Sequence, residues 1–421
     1  MDFVLKGNLC FCETPERLTT LPDGYLVCVD GVCAGAFETL PERYENLPQT
    51  DVGDRLVLPG LCDLHVHAPQ FAFRGLGMDL ELLAWLEQCA FPEESKYGDP
   101  LYAARAYDLF VEAMRKSATT RLCCFATLHG PATLLLMEKL EAAGLRGFVG
   151  KVSMDRNAPD GLCECDPERG AADCEQWLAE ATRRFAAVKP MVTPRFIPCC
   201  TDALMRRLAA LSARYGAPLQ SHLSENREEI ALVRELCPWA DGYADAYDQF
   251  GMLGPRTVMA HVVYPEPEEM ALLAARGVTV AHCPASNMNI RSGIAPVRRL
   301  LQAGVRVGLG TDVAGGQTVD LRRAVTDAVQ MSKLFWRLLD QQAAALTFSE
   351  ALYLATKGGG AFFGRVGSFE PGYELDAIVL DDTALPHPQP LTVTQRVERA
   401  FYLAGECAIT HKYVAGRPIS L

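Results

Sequence analysis

The chain has 421 residues, of which 49% are hydrophobic and 22% are charged. This balance is typical of a globular protein with a large core, and the length suits one barrel with a smaller companion domain. The formal net charge of −12 argues against nucleic acid and anionic membranes as partners, because both repel an acidic surface.

The two ends of the chain have the same β-rich character. Near the N-terminus, YLVCVDGVCAGAF places Asp30-Gly31 between alternating apolar residues, which indicates a two-residue hairpin. Near the C-terminus, ELDAIVLDD and HKYVAGRPISL indicate further strands. Because neither end can bury a core alone, we expect residues 1–56 and 366–421 to join as one small β-sandwich domain.

Residues 57–365 alternate between strand and helix patterns. The first strand lies in VLPGLCDLHVHAPQ, and the other seven are predicted at 118–127, 145–154, 188–196, 217–223, 256–262, 277–283 and 305–312. Helical stretches with apolar residues every three or four positions separate them, and a capping box at Thr347 and Glu350 marks a late helix. Eight strands alternating with helices predict an α/β fold, a (β/α)8 TIM barrel.

The C-terminal ends of the predicted strands carry residues that bind metals. His65 and His67 end the first strand, His222 the fifth and His261 the sixth, while Asp312 ends the eighth. Alternate strand residues face the same side, so His65 and His67 project together. Only eight histidines occur in the chain, and four of them end strands. A common position at one rim of the barrel therefore explains these four histidines better than separate burial in the core does.

We expect His65, His67, His222 and Asp312 to hold one metal ion with an open position for water. Three nitrogens and a carboxylate suit Zn²⁺, and Fe²⁺ also fits. One ion per subunit is predicted, because two-metal barrel hydrolases usually place a modified lysine at the end of the fourth strand, where this chain has Arg195. Lys151 on the third strand is interpreted as structural.

Three residues have the chemistry for proton transfer at such a site. A bound metal lowers the pKa of its water from about 15.7 towards about 7. Asp312 can accept that proton, and His261 can orient the hydroxide. Glu225 lies three residues beyond His222, and a carboxylic acid there can carry protons to a substrate nitrogen.

The sixteen cysteines are spread through the chain, and several lie in apolar runs such as RLCCFAT. Buried thiols behave as small hydrophobes, and the N-terminus lacks a secretory signal pattern, so we expect reduced cysteines in the cytoplasm. The Cys163/Cys165 pair lacks the spacing of a zinc knuckle. No run is long enough to cross a membrane.

Several segments resemble the amidohydrolase superfamily, and within it the guanine deaminase family. The superfamily resemblance is carried by PGLCDLHVHAPQ, QSHLSEN, MAHVVY, AHCPASNMNIRSG and LGTDVAGG. The narrower resemblance depends on Gln70 after HVHAP, on WLEQCAFPEE and on TPRF, and it extends over nearly the full chain. It implies attack of an activated water on C2 of guanine, with xanthine and ammonia as products.

The resemblance also implies roles for individual residues. His65, His67, His222 and Asp312 would bind zinc, while Glu225, His261 and Asp312 would be catalytic. The residues implied in substrate binding are His67, Ala68, Pro69, Gln70, Arg195, Phe196, His222, Glu225 and Asp312. The family also implies a homodimer that acts on a small purine.

Two alternatives remain open at this point. The chain can be another deaminase of the superfamily, acting on an oxidised guanine, a pterin or a triazine, since the metal machinery is common to all. It can also be a non-catalytic barrel scaffold. LLAWLEQCAFP is interpreted as an amphipathic helix that mostly packs, with Trp85 or Phe91 available to close a pocket.

Overall fold

The computed structural model describes residues 2–164 and 166–421, so Cys165 lies outside the described residues. The chain has mixed α/β content. Its strands are β1 (Phe3–Thr14), β2 (Arg17–Val29), β3 (Val32–Phe37), β4 (Gln49–Pro59), β5 (Leu61–His67), β6 (Thr119–Phe125), β7 (Arg146–Gly150), β8 (Val152–Ser153), β9 (Val188–Pro190), β10 (Thr193–Pro194), β11 (Leu219–Leu223), β12 (Thr257–His261), β13 (Thr279–His282), β14 (Arg306–Leu309), β15 (Ala377–Asp381), β16 (Ala408–Val414) and β17 (Arg417–Ile419).

The helices lie mainly between the strands of the middle region. They are α1 (Leu82–Trp85), α2 (Phe91–Ser95), α3 (Pro100–Lys116), α4 (Gly130–Ala142), α5 (Pro167–Arg184), α6 (Asp202–Tyr215), α7 (Arg227–Leu236), α8 (Tyr243–Gln249), α9 (Pro267–Arg276), α10 (Pro284–Asn289), α11 (Val297–Gln302), α12 (Leu321–Leu338), α13 (Phe348–Tyr353) and α14 (Val393–Tyr402). None of the helices within the described residues is long and apolar enough to span a membrane.

The middle region contains two four-stranded parallel sheets. Their strand orders are β5-β6-β7-β9 and β11-β12-β13-β14. A parallel bridge between Val192 and Leu219 connects the sheets on one side. On the other side, the Asp312 amide donates to the His65 carbonyl at 2.8 Å and the His67 amide to the Val313 carbonyl at 3.1 Å. All eight strands therefore direct their C-terminal ends to one side of the molecule.

The N- and C-terminal segments form one seven-stranded sheet, in the order β17-β16-β15-β4-β1-β2-β3. The two segments meet where β15 pairs antiparallel with β4. The Phe3 ring on β1 stacks on Tyr413 of β16, with ring centroids 5.0 Å apart. Strands separated by two others lie about 14 Å apart in a flat sheet. The sheet therefore curves strongly over its own core.

Local signals in the sequence correspond well to these elements. Asp30 and Gly31 have φ of 53° and 79° between the antiparallel strands β2 and β3, so the hairpin prediction is confirmed. The capping box is also confirmed, because Thr347 and Glu350 cap α13 reciprocally. The segment predicted as one amphipathic helix is instead α1 and α2 joined by a π-helical turn, Leu86–Ala90.

Buried charged groups join the curved sheet to the parallel sheets. Arg121 on β6 binds both carboxylate oxygens of Asp376, at 2.6 and 2.8 Å, and also Glu374. Lys412 on β16 is 1% exposed, and its ammonium donates to three carbonyls at the end of α3, those of Met114, Arg115 and Ser117. These contacts hold the two parts of the chain against each other.

Candidate active site

The His-x-His pair lies where the sequence places it, at the end of β5. His65 and His67 are both buried, and their Nε2 atoms are 3.2 Å apart. Their rings pack against Phe125 at the end of β6. The alternation of a β-strand thus directs two imidazoles into one buried space.

His222 and Asp312 bring two more ligand atoms to the same space. The Nε2 atoms of His67 and His222 are 3.2 Å apart, and Asp312 Oδ1 lies 3.1 Å from His65 Nε2 and 3.4 Å from His67 Nε2. In a tetrahedral site with bonds of about 2.1 Å, neighbouring ligand atoms are about 3.4 Å apart. These separations are therefore close to those expected between ligand atoms of a single ion.

The ring orientations also suit metal binding. His222 Nδ1 donates to the Arg195 carbonyl at 2.6 Å, which leaves the Nε2 lone pair directed inward. Burial and the neighbouring imidazole of His65 lower the pKa of both His67 and His222 well below the usual value. Both rings are therefore neutral, as a metal requires.

His261 lies between the two carboxylates of the site. Its Nε2 is 3.3 Å from Glu225 Oε2 and 3.6 Å from Asp312 Oδ2, while its Nδ1 donates to Asn287 Oδ1 at 2.9 Å. Burial, followed by the charges of Asp312 and Glu229, raises the pKa of Glu225 well above its usual value. A proton on Glu225 can therefore pass to or from His261 Nε2.

We call the space between His65, His67, His222 and Asp312 the metal space. The sequence did not predict one further group near it. Cys283 follows β13, and its Sγ lies close to His261 and Asp312. Burial raises the pKa of this thiol well above the usual value, and Sγ donates to the Ala281 carbonyl at 3.4 Å. A protonated thiol is a poor metal ligand, so Cys283 does not replace the predicted set.

A small cavity opens beside these residues. Some of the side chains that line it were predicted from the sequence as site residues, and others were not. It is lined by His67, Gln70, Leu82, Trp85, Leu86, Arg195, Phe196, His222, Glu225, His261, Ile290 and Asp312. Ala68 and Pro69 are buried in the 3-10 turn Ala68–Phe73 and do not line this cavity. The apolar wall of the cavity comes mostly from the segment around the π-helical turn.

Three polar residues that support the site were missed by the sequence reasoning. Glu94 binds Arg195 and Gln70, Ser292 donates to Glu225 Oε1 at 3.0 Å, and Asn287 holds the His261 ring. All three lie in segments that carry the family resemblance, WLEQCAFPEE and AHCPASNMNIRSG. The sequence feature that could have identified them was their position as polar residues inside these segments.

Within the described residues, Lys151 and the remaining histidines do not belong to the groups of side chains that could hold a metal. Lys151 is buried and paired with Glu164 at 2.5 Å, which agrees with its structural interpretation. His129 lies half-buried over Gly98, and His282 is buried on β13. His387 and His411 belong to the C-terminal segment.

Comparisons with known proteins place the chain among related enzymes. The amidohydrolase family model matches residues 56–419. Guanine deaminase from Dictyostelium discoideum is 36% identical over 99% of this chain and 98% of its own length, and the mouse enzyme is 37% identical over 86% and 82%. A crystal structure of guanine deaminase from C. acetobutylicum, with guanine bound in its active site, superposes with a TM-score of 0.97, 41% identity and full coverage of both chains.

Proposed function

Because this chain belongs to the amidohydrolase family and, within it, to the guanine deaminases, we propose that it hydrolyses guanine to xanthine and ammonia. The observation that carries this proposal is the convergence of His65, His67, His222 and Asp312 beside a cavity lined by Gln70 and Arg195. Relatives that match most of this chain are named guanine deaminase, and this disfavours both alternatives, a different deaminase and a non-catalytic scaffold.

We also propose the architecture that positions this site. The eight parallel strands close into a (β/α)8 barrel, supported by the Val192–Leu219 bridge and the hydrogen bonds beyond β14. The curved seven-stranded sheet forms the β-sandwich domain, supported by the stacking of Phe3 on Tyr413. The proposed domains are 1–56 with 366–421, and 57–365. β4 continues past residue 56 to Pro59 and so connects the two.

His65, His67, His222 and Asp312 would hold the metal, for which Zn²⁺ is the proposed ion, with one per subunit and Fe²⁺ as the alternative. Three imidazoles and a carboxylate at tetrahedral separations suit zinc best. A metal bound there supplies a Lewis acid that makes a water molecule available as hydroxide near neutral pH.

The cavity side chains orient the base. Arg195 and the Gln70 amide supply directed hydrogen bonds, and the Phe196 ring offers an apolar surface for the purine. Leu82, Trp85 and Leu86 cover the cavity and exclude bulk water. Exclusion of water strengthens every electrostatic interaction inside the site.

Three side chains move protons. Asp312 accepts one proton from the attacking water, and His261 Nε2, 3.6 Å from Asp312 Oδ2 and 3.3 Å from Glu225 Oε2, relays it to Glu225. Glu225, which burial keeps protonated, first gives its own proton to the ring nitrogen beside C2 and then passes the relayed proton to the leaving amine. The second proton of the water, released from the new oxygen on C2, restores the Glu225 carboxyl. Ser292 holds this carboxyl in place.

We further propose a cytoplasmic homodimer that functions in purine breakdown. Core thiols such as Cys10, Cys123 and Cys200 form no disulfide, as in proteins from reducing compartments. Leu334 and Leu338 lie one helical turn apart near the end of α12 and are 46% and 69% exposed, which suits an interface between two copies.

Steady-state assays of the zinc-loaded chain with guanine test the proposed function. We expect xanthine and ammonia in equal amounts, at a rate that falls after metal chelation and returns when zinc is added. Absence of xanthine above the uncatalysed rate, with a full complement of metal, would contradict the proposal.

A further inference from the structure

The carboxylate of Glu94 connects the two residues proposed to bind the base. Its Oε2 accepts from Arg195 Nη1 at 2.7 Å, and its Oε1 accepts from Arg195 Nη2 at 3.1 Å and from Gln70 Nε2 at 2.9 Å. Glu94 is 1% exposed and Arg195 is 2% exposed. The Phe91 ring covers the guanidinium, with 5.0 Å between the ring centroid and Cζ. Both oxygens of Glu94 are therefore committed to the recognition residues.

This arrangement fixes which way the Gln70 amide points. Gln70 Oε1 accepts from the Ala314 backbone N–H at 3.1 Å, while Gln70 Nε2 donates to Glu94. A backbone N–H can only donate and a carboxylate can only accept. If the Gln70 amide were flipped, its NH2 group would face the Ala314 N–H and its oxygen would face the Glu94 carboxylate. Both pairings are costly in a buried space. Gln70 can offer the substrate only its second amide hydrogen.

We infer that Glu94 is a positioning residue that makes the Gln70–Arg195 pair a donor-only surface, and that this selects a purine edge with two neighbouring acceptors. The inference rests on the proposed function and deepens it. Arg195 has no acceptor, and its N–H groups not used by Glu94 remain for the substrate. Guanine presents such an edge through O6 and N7.

Two analogues distinguish this role from simple packing. 2-Aminopurine keeps the 2-amino group but lacks O6, and 8-oxoguanine carries a hydrogen on N7. When either analogue binds, a buried donor of Arg195 or Gln70 is left unpaired or faces another donor. A site built to hydrogen-bond a substrate group rejects analogues that lack this group by large factors. Wild-type protein is therefore expected to prefer guanine over either analogue by at least about 100-fold in kcat/KM and in Kd.

The variant Glu94→Gln tests the inference. Its amide has one acceptor and one donor group, so it cannot accept from both Arg195 and Gln70 as the carboxylate does, and one of the two contacts that fix the Gln70 amide is lost. We expect the preference for guanine over 2-aminopurine to fall below about tenfold. Glu93→Gln is the matched control, because Glu93 binds Lys96 and Tyr102 instead. It should keep the wild-type preference.

Binding is measured alongside turnover, through the fluorescence of 2-aminopurine and its displacement by guanine. A wild-type preference retained in Glu94→Gln would overturn the inference. If Glu94→Gln does not fold, the wild-type panel decides: equal use of guanine and either analogue overturns the donor-only surface. Failure of the wild type to release ammonia from guanine rejects the proposed function, and the Kd ratios still decide the role of Glu94.

Discussion

At the scale of residues, hydrogen bonds outside the metal space determine what each group in it can do. The Arg195 carbonyl fixes the His222 ring, Asn287 fixes His261, and Ser292 holds Glu225. His261 and Asp312 also have left-handed backbone, with φ of 74° and 46°. Such conformations cost free energy in residues other than glycine and often occur at functional sites.

The first prediction concerns the proposed metal ligands. His222→Ala removes a nitrogen donor, so we expect bound zinc to fall below about a tenth of an equivalent and activity to fall at least about 1000-fold. His129→Ala, a half-buried histidine outside the metal space, should retain both. Metal analysis after dialysis checks this, and full zinc content in His222→Ala would remove that residue from the ligand set.

The second prediction concerns the hydroxyl that holds Glu225. Ser292→Ala loses a hydrogen bond to the carboxyl that we propose as catalytic, so kcat should fall about tenfold to 100-fold while KM changes little. Ser286→Ala is the control, because its buried hydroxyl has no partner among the described residues. An unchanged kcat in Ser292→Ala would show that Glu225 needs no support there.

At the scale of elements, the segment from α1 to α2 forms the cover of the site. Its π-helical turn, Leu86–Ala90, lies where Trp85 and Leu86 contact the cavity and just before Glu94. π-Turns interrupt the regular helical period, and they occur frequently at functional sites. A regular amphipathic helix, as the sequence pattern predicted, would orient these side chains differently.

The third prediction tests this cover. Trp85→Ala opens the cavity wall to water, and we expect kcat/KM for guanine to fall about tenfold, mainly through a higher KM. Trp239→Ala removes an indole that is 38% exposed and does not line the cavity, so it should be near wild type. Steady-state kinetics of the two variants, side by side, measure the difference. Equal values would assign Trp85 to packing alone.

The sequence predicts some parts of the site and not others for a physical reason. His65 and His67 share a strand, and Thr347 and Glu350 share a helix start, so local periodicity identifies both pairs. Glu94 meets Arg195 across 101 residues, and only the path of the chain around the π-helical turn brings them together. Long-range polar contacts of this kind leave no periodic pattern.

At the scale of the whole molecule, buried ion pairs and a buried lysine join the terminal sheet to the parallel strands. Arg121 and Asp376 form a two-point contact, and Lys412 donates to carbonyls in the last turn of α3 and to that of Ser117, which follows the helix. The terminal segments therefore support the strands that carry the site, although none of their described residues lines its cavity.

The fourth prediction concerns Lys412. Lys412→Met keeps the aliphatic volume but removes the donor shared by three carbonyls at the end of α3, so the free energy of unfolding should fall by about 2–4 kcal/mol. Lys333→Met, at an exposed position of α12, should change it by less than about 0.5 kcal/mol. Urea denaturation compares the two, and equal stabilities would show that Lys412 does not join the two parts.

The central claim is that one ion, held by residues from distant parts of the chain, enables guanine hydrolysis. Ammonia release from guanine by zinc-loaded wild type and by Asp312→Ala, at equal protein concentration, tests it most directly. We predict rapid release by the wild type and a rate at least about 1000-fold lower for the variant. Equal rates for the two proteins would contradict the claim.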